Sequence, residues 1–547
     1  MGRLSLLALL LLVGCGGEAV STAVGPRFTD VTAGSGLDFR TTTGADPPRY
    51  LVDTIGTGVA LIDYDRDGDI DVFAANGATP ESPEAGPGAR LFENLGGMRF
   101  RDVTEETGLD VTRWTFGLAR GDFDNDGWPD LFLACYGENI LLRNDQGRFV
   151  DVTAESGIAG SVWSATGAFG DFDADGDLDL YVVNYCEQDL TKPSPVREFT
   201  GVEVFAGPMG LGKVADVLYR NDGGGRFTDV SGPSGIHGRK PSWGLSAVVV
   251  DFDRDGNQDI YVGNDSTASF FFRGRGDGTF IEEGVKSGVG LSGSGGGQAT
   301  MGIAVGDVDG NSRPDLFTTN FMYDTNTLHL NRSGGTFLDS TIAYGLQIDS
   351  RPFLGWATAF HDFDHDADED LVFFNGNIYP RSLCELNGWD YDQVPVMYRR
   401  EAKRFVRLTP EEGGDWLAAA YCDRAAAAGD LDGDGDLDLV VSPSNGPLRL
   451  LRNERDGGEW IQVRLEDRRP GRDPEAWGAE VVLHAGELVQ RRWLANGKGY
   501  FSAEEPVLHF ALPAGQAADR LEVRWPDGTV EEHPAPATGA LTRIVRE

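Results

Sequence analysis

The fold of this chain is decided by Asp63-Tyr64-Asp65-Arg66-Asp67-Gly68-Asp69-Ile70-Asp71, a nine-residue run with carboxylates at positions 1, 3, 5 and 9. Calcium prefers six to eight oxygen ligands at about 2.3–2.6 Å, and short aspartates on alternate residues can surround one ion. The glycine at position 6 permits the sharp turn that directs these oxygens inward. The backbone carbonyl of position 7 is expected to supply a further ligand. The run therefore predicts a calcium loop.

The same pattern returns six times, at intervals between 49 and 80 residues. A spacing of tens of residues predicts a repeat architecture. The fifth loop has Ser312 at position 6 and the sixth has Ala367, where the other loops have glycine. Up to seven structural Ca²⁺ ions are predicted, bound by positions 1, 3, 5, 7 and 9. Loop by loop, the predicted ligands are Asp63, Asp65, Asp67, Asp69 and Asp71; Asp122, Asp124, Asp126, Trp128 and Asp130; Asp171, Asp173, Asp175, Asp177 and Asp179; Asp251, Asp253, Asp255, Asn257 and Asp259; Asp307, Asp309, Asn311, Arg313 and Asp315; Asp362, Asp364, Asp366, Asp368 and Asp370; and Asp430, Asp432, Asp434, Asp436 and Asp438.

Short β-rich runs surround each loop. After the first loop come Ile70–Asn76, Leu91–Asn94 and Phe100–Thr104, and Trp114–Ala119 leads into the second loop. Runs of four to eight residues between Gly, Asn and Asp are typical of strands, and four strands per repeat predict an all-β, seven-bladed β-propeller. The pattern does not indicate the flanking helices of an EF-hand, and position 12 of the first loop is Ala74 rather than a glutamate.

The propeller is predicted to span residues 28–453. Phe28–Thr32 resembles Phe100–Thr104, yet it precedes the first loop, and the last repeat has no copy of its own. We therefore expect the N-terminal strand to complete the seventh blade. Such closure would leave no open sheet edge, and truncation at either end is expected to be costly.

Beyond a polar hinge, Glu454–Glu459, residues 459–547 predict a second domain. Five alternating runs indicate the strands of a small antiparallel, sandwich-like β domain. These runs are Trp460–Leu465, Ala479–Leu483, Leu488–Leu494, Val507–Leu512 and Leu521–Trp525.

The N-terminus predicts export. Residues 1–14 contain Arg3 and the apolar run Leu4–Val13, which is too short to span a bilayer and is typical of a secretory signal. Cys15 follows Leu12-Val13-Gly14, as in a lipobox, so lipidation of Cys15 is predicted, with residues 15–27 as a flexible tether. An ordinary signal peptide that contains a cysteine is the alternative. The predicted location is a lipid-anchored protein of the outer membrane or cell surface, or a secreted protein.

Four further cysteines would meet an oxidising compartment after export, where disulfides are allowed. Cys135 could pair with Cys186, since both follow equivalent strands of neighbouring repeats, and Cys384 could pair with Cys422. Sequence does not settle this connectivity, and four buried free thiols are the alternative.

The chain is acidic, with 87 acidic and 47 basic residues and a formal charge of −40. The seven loops contain 32 of the acidic residues, so metal sites account for much of this charge. The sequence has no basic stripe, which argues against nucleic acid as a partner. It also has no nucleophile elbow and no phosphate-binding loop, and the loop carboxylates follow ligand spacing rather than the pairing of a glycosidase.

Two irregular segments interrupt the repeats. Glu187–Asp216 lengthens the interval between the third and fourth loops and is the predicted partner-contact surface, with a surface loop of no consequence as the alternative. Asn377–Pro395 contains Tyr379, Trp389 and Tyr391. Its aromatic residues suit a carbohydrate or protein face, but packing over the end of the propeller is favoured.

The repeats resemble FG-GAP/VCBS repeats, the calcium-loop blades of integrin-α-type propellers. Together, the repeats and the C-terminal domain resemble bacterial relatives of the cartilage acidic protein family. Two features depart from the family pattern. Ala511 stands where the family usually has the glycine of Phe-Gly-Leu, and the fifth and sixth loops lack the glycine at position 6. The resemblance implies an extracellular calcium-binding propeller in recognition or scaffolding, and it implies no established reaction. Residues 459–547 resemble an ASPIC/UnbV domain at Trp477–Leu483, Asn496–Ser502, Leu508–Leu512 and Leu521–Gly528.

Three functions remain open, and one of them is assembly, in which the propeller docks a partner needed for surface attachment or export. The leading hypothesis is a non-catalytic, extracytoplasmic calcium-binding protein for recognition, adhesion or scaffolding. Its partner would be an unknown extracellular protein or glycan, and it would contact the membrane through the lipid anchor alone. The alternative is a polysaccharide-active lyase or hydrolase on a calcium-stabilised propeller. That enzyme would need a cluster of basic, tyrosine or paired acidic residues outside the metal loops.

Overall fold

The computed structural model describes residues 25–160, 162–455, 458–513 and 515–547. The predicted signal peptide, Cys15 and most of the predicted tether lie outside these ranges. Within them the chain consists of strands with a few short helices, and none of those helices is long and apolar enough to cross a membrane. The α-helices are α1 (Thr153–Ser156), α2 (Gly284–Ser287), α3 (Arg381–Asn387) and α4 (Pro410–Gly413), and the 3₁₀ helices are Leu51–Thr54, Ile236–Gly238 and Asp415–Ala418.

Sets of four antiparallel strands follow one another along the chain, and each set carries one predicted metal loop between its first two strands. A single strand, β1 (Phe28–Asp30), precedes them. The first set is β2 (Val59–Ile62), β3 (Asp71–Ala74), β4 (Arg90–Asn94) and β5 (Phe100–Asp102), and the second is β6 (Thr115–Gly121), β7 (Asp130–Gly137), β8 (Ile140–Asn144) and β9 (Phe149–Asp151).

The third set contains an insertion. It begins with β10 (Val162–Gly170) and β11 (Asp179–Asn184), continues through the short inserted strands β12 (Cys186–Glu187), β13 (Val196–Phe199), β14 (Val202–Phe205) and β15 (Gly212–Lys213), and ends with β16 (Val217–Asn221) and β17 (Phe227–Asp229).

The fourth to sixth sets have four strands each, and the last set contributes three of its own. The fourth is β18 (Gly244–Val250), β19 (Asp259–Asn264), β20 (Phe270–Gly274) and β21 (Phe280–Glu282), and the fifth is β22 (Ile303–Gly306), β23 (Asp315–Thr318), β24 (Thr327–Ser333) and β25 (Thr336–Asp339). The sixth is β26 (Gly355–His361), β27 (Asp370–Asn375), β28 (Val396–Glu401) and β29 (Arg404–Arg407), and the last is β30 (Asp423–Gly429), β31 (Asp438–Pro443) and β32 (Arg449–Asn453).

Burial shows which strands lie inside. Every residue of the first strands β2, β6 and β18 is buried, whereas the fourth strands β5 and β9 bury only their first residue. The first strands of successive sets pack against one another, and β30 packs against β2, so the sets form a closed ring. Radially repeated sheets of this kind make a β-propeller, which confirms the all-β fold predicted from the sequence.

The N-terminal strand completes the last set, as expected. β1 pairs antiparallel with β32, with Phe28 opposite Asn453. Phe28 is 1% exposed, and its ring lies edge-on to the rings of Phe363 and Trp416, with 5.5 Å between centroids in each pair. Burial of a phenylalanine contributes about 1.5–3 kcal/mol, so this strand holds the two ends of the propeller together.

Residues 459–547 form two sheets that share one hydrophobic cluster. One sheet has the order β36-β33-β39 and the other β35-β34-β37-β38, where the strands are β33 (Glu459–Asp467), β34 (Glu480–Ala485), β35 (Leu488–Trp493), β36 (Val507–Leu512), β37 (Arg520–Arg524), β38 (Val530–Pro534) and β39 (Ala540–Arg546). The expectation of a fully antiparallel domain is wrong for one pair, because β33 and β39 run parallel. A parallel pair needs a crossover, and the chain provides it by leaving β38 of one sheet to enter the other.

The C-terminal domain sends one segment into the ring, Asn496–Ala503, which we call the plug. The Ala503 carbonyl accepts a hydrogen bond of 2.9 Å from the N–H of Leu61 in β2. Gly499 and Ile303 of β22 exchange two backbone hydrogen bonds, of 2.7 and 2.9 Å. The plug therefore bonds to first strands in different parts of the ring, a contact that the sequence did not predict.

The middle of the plug is aromatic and buried. Tyr500 lies edge-on to Trp356, with 5.2 Å between ring centroids, and the ring centroid of Phe501 lies 6.3 Å from that of Phe116. A Cβ at Gly58 would collide with the carbonyl oxygen of Phe501, so only glycine allows this approach. The side chains of Tyr500 and Phe501 therefore fill part of the space enclosed by the ring.

The described cysteines are all buried free thiols: Cys135, Cys186, Cys384 and Cys422. This corrects the pairings considered from the sequence. Cys135 and Cys186 belong to different hydrophobic clusters, and the Cys384 and Cys422 thiols each approach a backbone carbonyl instead. Burial raises the pKa of Cys135 to about 12 and that of Cys384 to about 11, so these two thiols stay protonated at neutral pH.

The two irregular segments meet at the end of the ring opposite the metal loops, because each follows the far end of a second strand. Phe199 lies 6.4 Å from Tyr379 and 5.9 Å from Trp389 between ring centroids. Arg197 donates a hydrogen bond of 3.3 Å to the Tyr379 hydroxyl. Tyr379 is only 7% exposed, so the packing favoured for its segment is observed. A partner-contact role for Glu187–Asp216 stays a prediction.

Candidate metal centres on the loop face

Each predicted metal loop joins the first strand of a set to the second strand. Position 9 is the first residue of that second strand in every set. Since the strand order repeats around the ring, all seven loops lie at one end, which we call the loop face. The position-9 residues are Asp71, Asp130, Asp179, Asp259, Asp315, Asp370 and Asp438.

The position-9 carboxylate fastens the loop to its sheet. One oxygen of Asp71 accepts the N–H of Tyr64, at position 2, at 3.2 Å. The other accepts the N–H of Asn94, at the end of the third strand, at 2.7 Å. The same two bonds recur in the other six loops. This carboxylate therefore holds the loop in place by hydrogen bonds, in addition to being a predicted metal ligand.

Position 1 accepts the N–H of position 6 in all seven loops, at 2.6 to 3.4 Å. The backbone at position 6 is left-handed, with φ of 102° at Gly68, 65° at Ser312 and 77° at Ala367. The fifth and sixth loops thus keep the turn without glycine, at a cost of roughly 1–3 kcal/mol each. Calcium occupancy of these two loops stays a prediction.

The carboxylates of single loops lie close enough to share a cation. In five of the loops, carboxylate oxygens from three residues lie within 4.8 Å of one another. An ion with oxygens at 2.3–2.6 Å places opposite ligands about 5 Å apart, so these clusters fit Ca²⁺. Position 9 belongs to the cluster in the first, second and fifth loops, and position 5 in the third and fourth. These five clusters are Asp63, Asp65 and Asp71; Asp122, Asp124 and Asp130; Asp171, Asp173 and Asp175; Asp251, Asp253 and Asp255; and Asp307, Asp309 and Asp315.

Several of these oxygens are buried with no hydrogen-bond donor among the described residues. Leaving a buried polar atom unpaired costs about 1–3 kcal/mol, and more for a charged one. A bound cation would remove this cost, so the donor chemistry also fits Ca²⁺. The unpaired position-3 atoms are Oδ1 of Asp124, Asp173, Asp309, Asp364 and Asp432.

Burial raises the pKa of the loop carboxylates. It raises the pKa of Asp71 to about 9, although two backbone N–H groups act in the opposite direction. It raises the pKa of Asp122 to about 9, where repulsion from Glu475 and Asp473 adds to the effect. Burial is also the main reason that the pKa of Asp171 rises to about 7. Metal ligands must be deprotonated, so a cation has to compete with protons at these sites.

An asparagine at the end of the third strand connects neighbouring loops, and sequence reasoning missed its role. Its side-chain N–H donates to the position-2 carbonyl of the loop in the preceding set, at 2.7 to 3.0 Å. In the fourth set Gly274 stands there, and the Gly278 N–H bonds to the carbonyl of Phe172 instead, at 2.9 Å. The sequence signal that could have shown this role was the recurrence of asparagine at the end of the run that forms the third strand of each set. These residues are Asn94, Asn144, Asn221, Asn331 and Asn453.

The C-terminal domain rests on the loop face. Gln462 donates to Oδ2 of Asp430 at 2.8 Å, and Arg464 lies 3.4 Å from Oδ2 of Asp63. Asp430 and Asp63 are position-1 residues, so two predicted ligands also hold the second domain. The metal loops and the domain interface are therefore physically coupled.

Comparisons with known proteins agree with this architecture. A family model described as an FG-GAP-like repeat matches residues 63–133, 122–182, 202–262, 251–318 and 307–373. A model described as ASPIC and UnbV matches residues 470–547. Cartilage acidic protein 1 of Homo sapiens is 28% identical over 325 residues, which cover 58% of this chain and 45% of that protein. The Xenopus tropicalis protein of the same name is 28% identical over 350 residues, or 52% of each chain. The chain thus spans about half the length of these relatives.

Solved structures that are similar to this chain are more distant. One is an Agrocybe aegerita lectin that specifically recognises non-reducing terminal N-acetylglucosamine, at 15% identity and a TM-score of 0.38, covering 73% of this chain and 94% of the lectin. Another is BBS1N in complex with ARL6DN, at 9% identity and a TM-score of 0.40, covering 79% of this chain and 98% of that one. Because the repeat model matches more than half of its residues, this chain belongs to the FG-GAP-like repeat family and carries a C-terminal ASPIC and UnbV domain.

Proposed function

We propose that this protein is an exported, calcium-binding propeller that acts in recognition, adhesion or scaffolding and performs no reaction. The observation that carries the proposal is the recurrence of one carboxylate cluster in successive sets of strands. Cys15 would carry the lipid that tethers the chain to a membrane. The partner would be an extracellular protein or a glycan.

Calcium is structural in this proposal. Each ion would offset the repulsion among the carboxylates of one loop and would bind the carboxylate oxygens that lack hydrogen-bond donors. Asparagines such as Asn144 link each loop to a neighbour, and Arg464 links the first loop to the C-terminal domain. Calcium would therefore stiffen the ring and the domain interface together, giving a rigid surface for a partner.

Calcium removal tests this role. At a free calcium concentration of about 100 times Kd, one site bound only in the folded state contributes about 2.7 kcal/mol. We expect EDTA to lower the melting temperature by many degrees and Ca²⁺ to restore it, while Mg²⁺ restores less because it demands a rigid octahedral site.

Asp124→Asn should reduce the calcium count by one in elemental analysis. Asp145→Asn, on the same set but exposed and outside the cluster, should not. An unshifted melting curve together with a metal-free protein would reject calcium binding.

Recognition is tested by a glycan array and a pull-down, each with calcium and with EDTA. Calcium-dependent capture of a glycan or protein without turnover is the expected result. Cleavage of a polysaccharide, detected as new reducing ends or unsaturated products, would instead support the enzymatic alternative.

A further inference from the structure

A cavity of about 390 Å³ lies between the first two metal loops and the C-terminal domain. The propeller contributes Arg66 and Asp126 to its wall, and the other domain contributes the stretch from Arg464 to Arg472. Neither domain encloses it alone. The volume falls in the range of small-molecule sites, about 300–1,000 Å³.

The cavity is basic although the chain is strongly acidic. Seven arginines line it, against five acidic residues, whereas the whole chain has 47 basic and 87 acidic residues. Some of these arginines are already paired, such as Arg469 with Asp467. Among the described residues, however, Arg66 and Arg472 form no salt bridge.

Arg120 is a buried arginine on the propeller side of the cavity. Its side chain is 3% exposed and forms a salt bridge with Glu475. Its Nε and Nη1 atoms have no hydrogen-bond partner among the described residues. Buried polar groups are normally paired, and an arginine offers a planar fork of donors that matches carboxylate and sulfate oxygens. Arg120 therefore places a positive charge with unused donors directly behind the cavity wall.

We propose that this cavity binds an acidic sugar, through a sulfate or carboxylate group that Arg66 and Arg472 contact, with Arg120 buried behind them. The inference rests on the proposed recognition function and names its ligand class. A sugar suits the enclosed volume, which holds one or two rings but not a folded protein surface. The Arg66 guanidinium lies 5.4 Å from the ring centroid of Trp128, a cation–π contact that positions this arginine.

The ligand class is tested by calorimetric titration of the calcium-loaded full chain with four probes: a heparin-derived tetrasaccharide, tetragalacturonate, maltotetraose and sodium sulfate. We expect at least one acidic tetrasaccharide to bind tenfold or more tightly than the neutral one and than sodium sulfate. Its affinity should fall with added salt, because the contact is between charges. Equal binding of all sugars, or sulfate binding as tightly as the best sugar, would overturn the assignment.

The site is tested with the double variant Arg66→Gln and Arg472→Gln, which removes the two cavity arginines that have no salt bridge. We expect this variant to lose at least tenfold in affinity for the acidic sugar while its calcium content and melting temperature stay unchanged. The matched control is Arg275→Gln, an exposed arginine outside the cavity, which should stay within twofold of the wild type.

A folded double variant that binds the acidic sugar like the wild type would overturn the site. That result would leave the recognition function standing if the wild type still captures a ligand on the array. A wild type that captures nothing in the array and the pull-down would reject the function itself.

Discussion

Replacing Asn496 with alanine would remove the side chain that anchors the plug to two neighbouring sets of strands. Oδ1 of Asn496 accepts the N–H of Phe169 at 3.0 Å, and its Nδ2 donates to the carbonyl of Arg120 at 3.0 Å. Asn496 is 4% exposed, so water cannot readily replace the lost bonds. Each buried group left without a partner costs about 1–3 kcal/mol, and we expect a total of about 3 kcal/mol.

Hydrogen–deuterium exchange measures this loss locally, without requiring two-state unfolding of a two-domain chain. The N–H groups of Leu61, Val249 and Ile303 donate to carbonyls of the plug, so they report on its opening. A loss of about 3 kcal/mol corresponds to exchange on the order of 100-fold faster, since each 1.4 kcal/mol is a factor of about ten.

The control is Asn387→Ala in α3, at the opposite end of the ring, where exchange of the same three amides should not change. If these amides in Asn496→Ala exchange within about threefold of the wild type, the plug is not held as described.

Two further predictions concern ring closure and the charge beside the plug. Phe28→Ala should lower the free energy of unfolding by about 3–5 kcal/mol, because it leaves a cavity against Phe363 and Trp416. Urea titration measures this loss, and the control is Val285→Ala in α2, where the side chain is 50% exposed. Equal urea midpoints for the two variants would contradict closure of the ring by β1. For Glu504, burial alone would raise the pKa, but Lys498 at 2.8 Å and His361 at 3.1 Å hold the pKa well below its usual range. A lowered carboxyl pKa gives stability that is present above the unfolded value, about 4.3, and is lost as the pH falls. The urea midpoint of the wild type should therefore drop more between pH 5 and pH 3 than that of Glu504→Gln, and parallel curves would refute this.

The repeat, the strands and the predicted metal ligands could all be inferred from the order of residues alone. Carboxylates on alternate residues with a glycine between them are a local pattern, because a loop of nine residues brings its own donors together. The pairing of the Phe28 strand with the last set could also be inferred, because the last repeat lacks a fourth strand and a matching run stands at the N-terminal end of the propeller. The asparagines that link loops recurred visibly, but nothing local shows that Asn144 bonds to the carbonyl of Tyr64, 80 residues away.

The meeting of the two domains, by contrast, could be seen only in the folded chain. The plug residues Asn496 and Tyr500 belong in sequence to a separate β domain, and their burial in the ring depends on first strands that are distant along the chain. The parallel pairing of β33 with β39, the free state of Cys384 and the basic cavity around Arg120 follow from the same long-range packing. The physical reason is that ligand spacing and strand period are set by neighbouring residues, whereas burial and charge pairing depend on which surfaces the fold brings together.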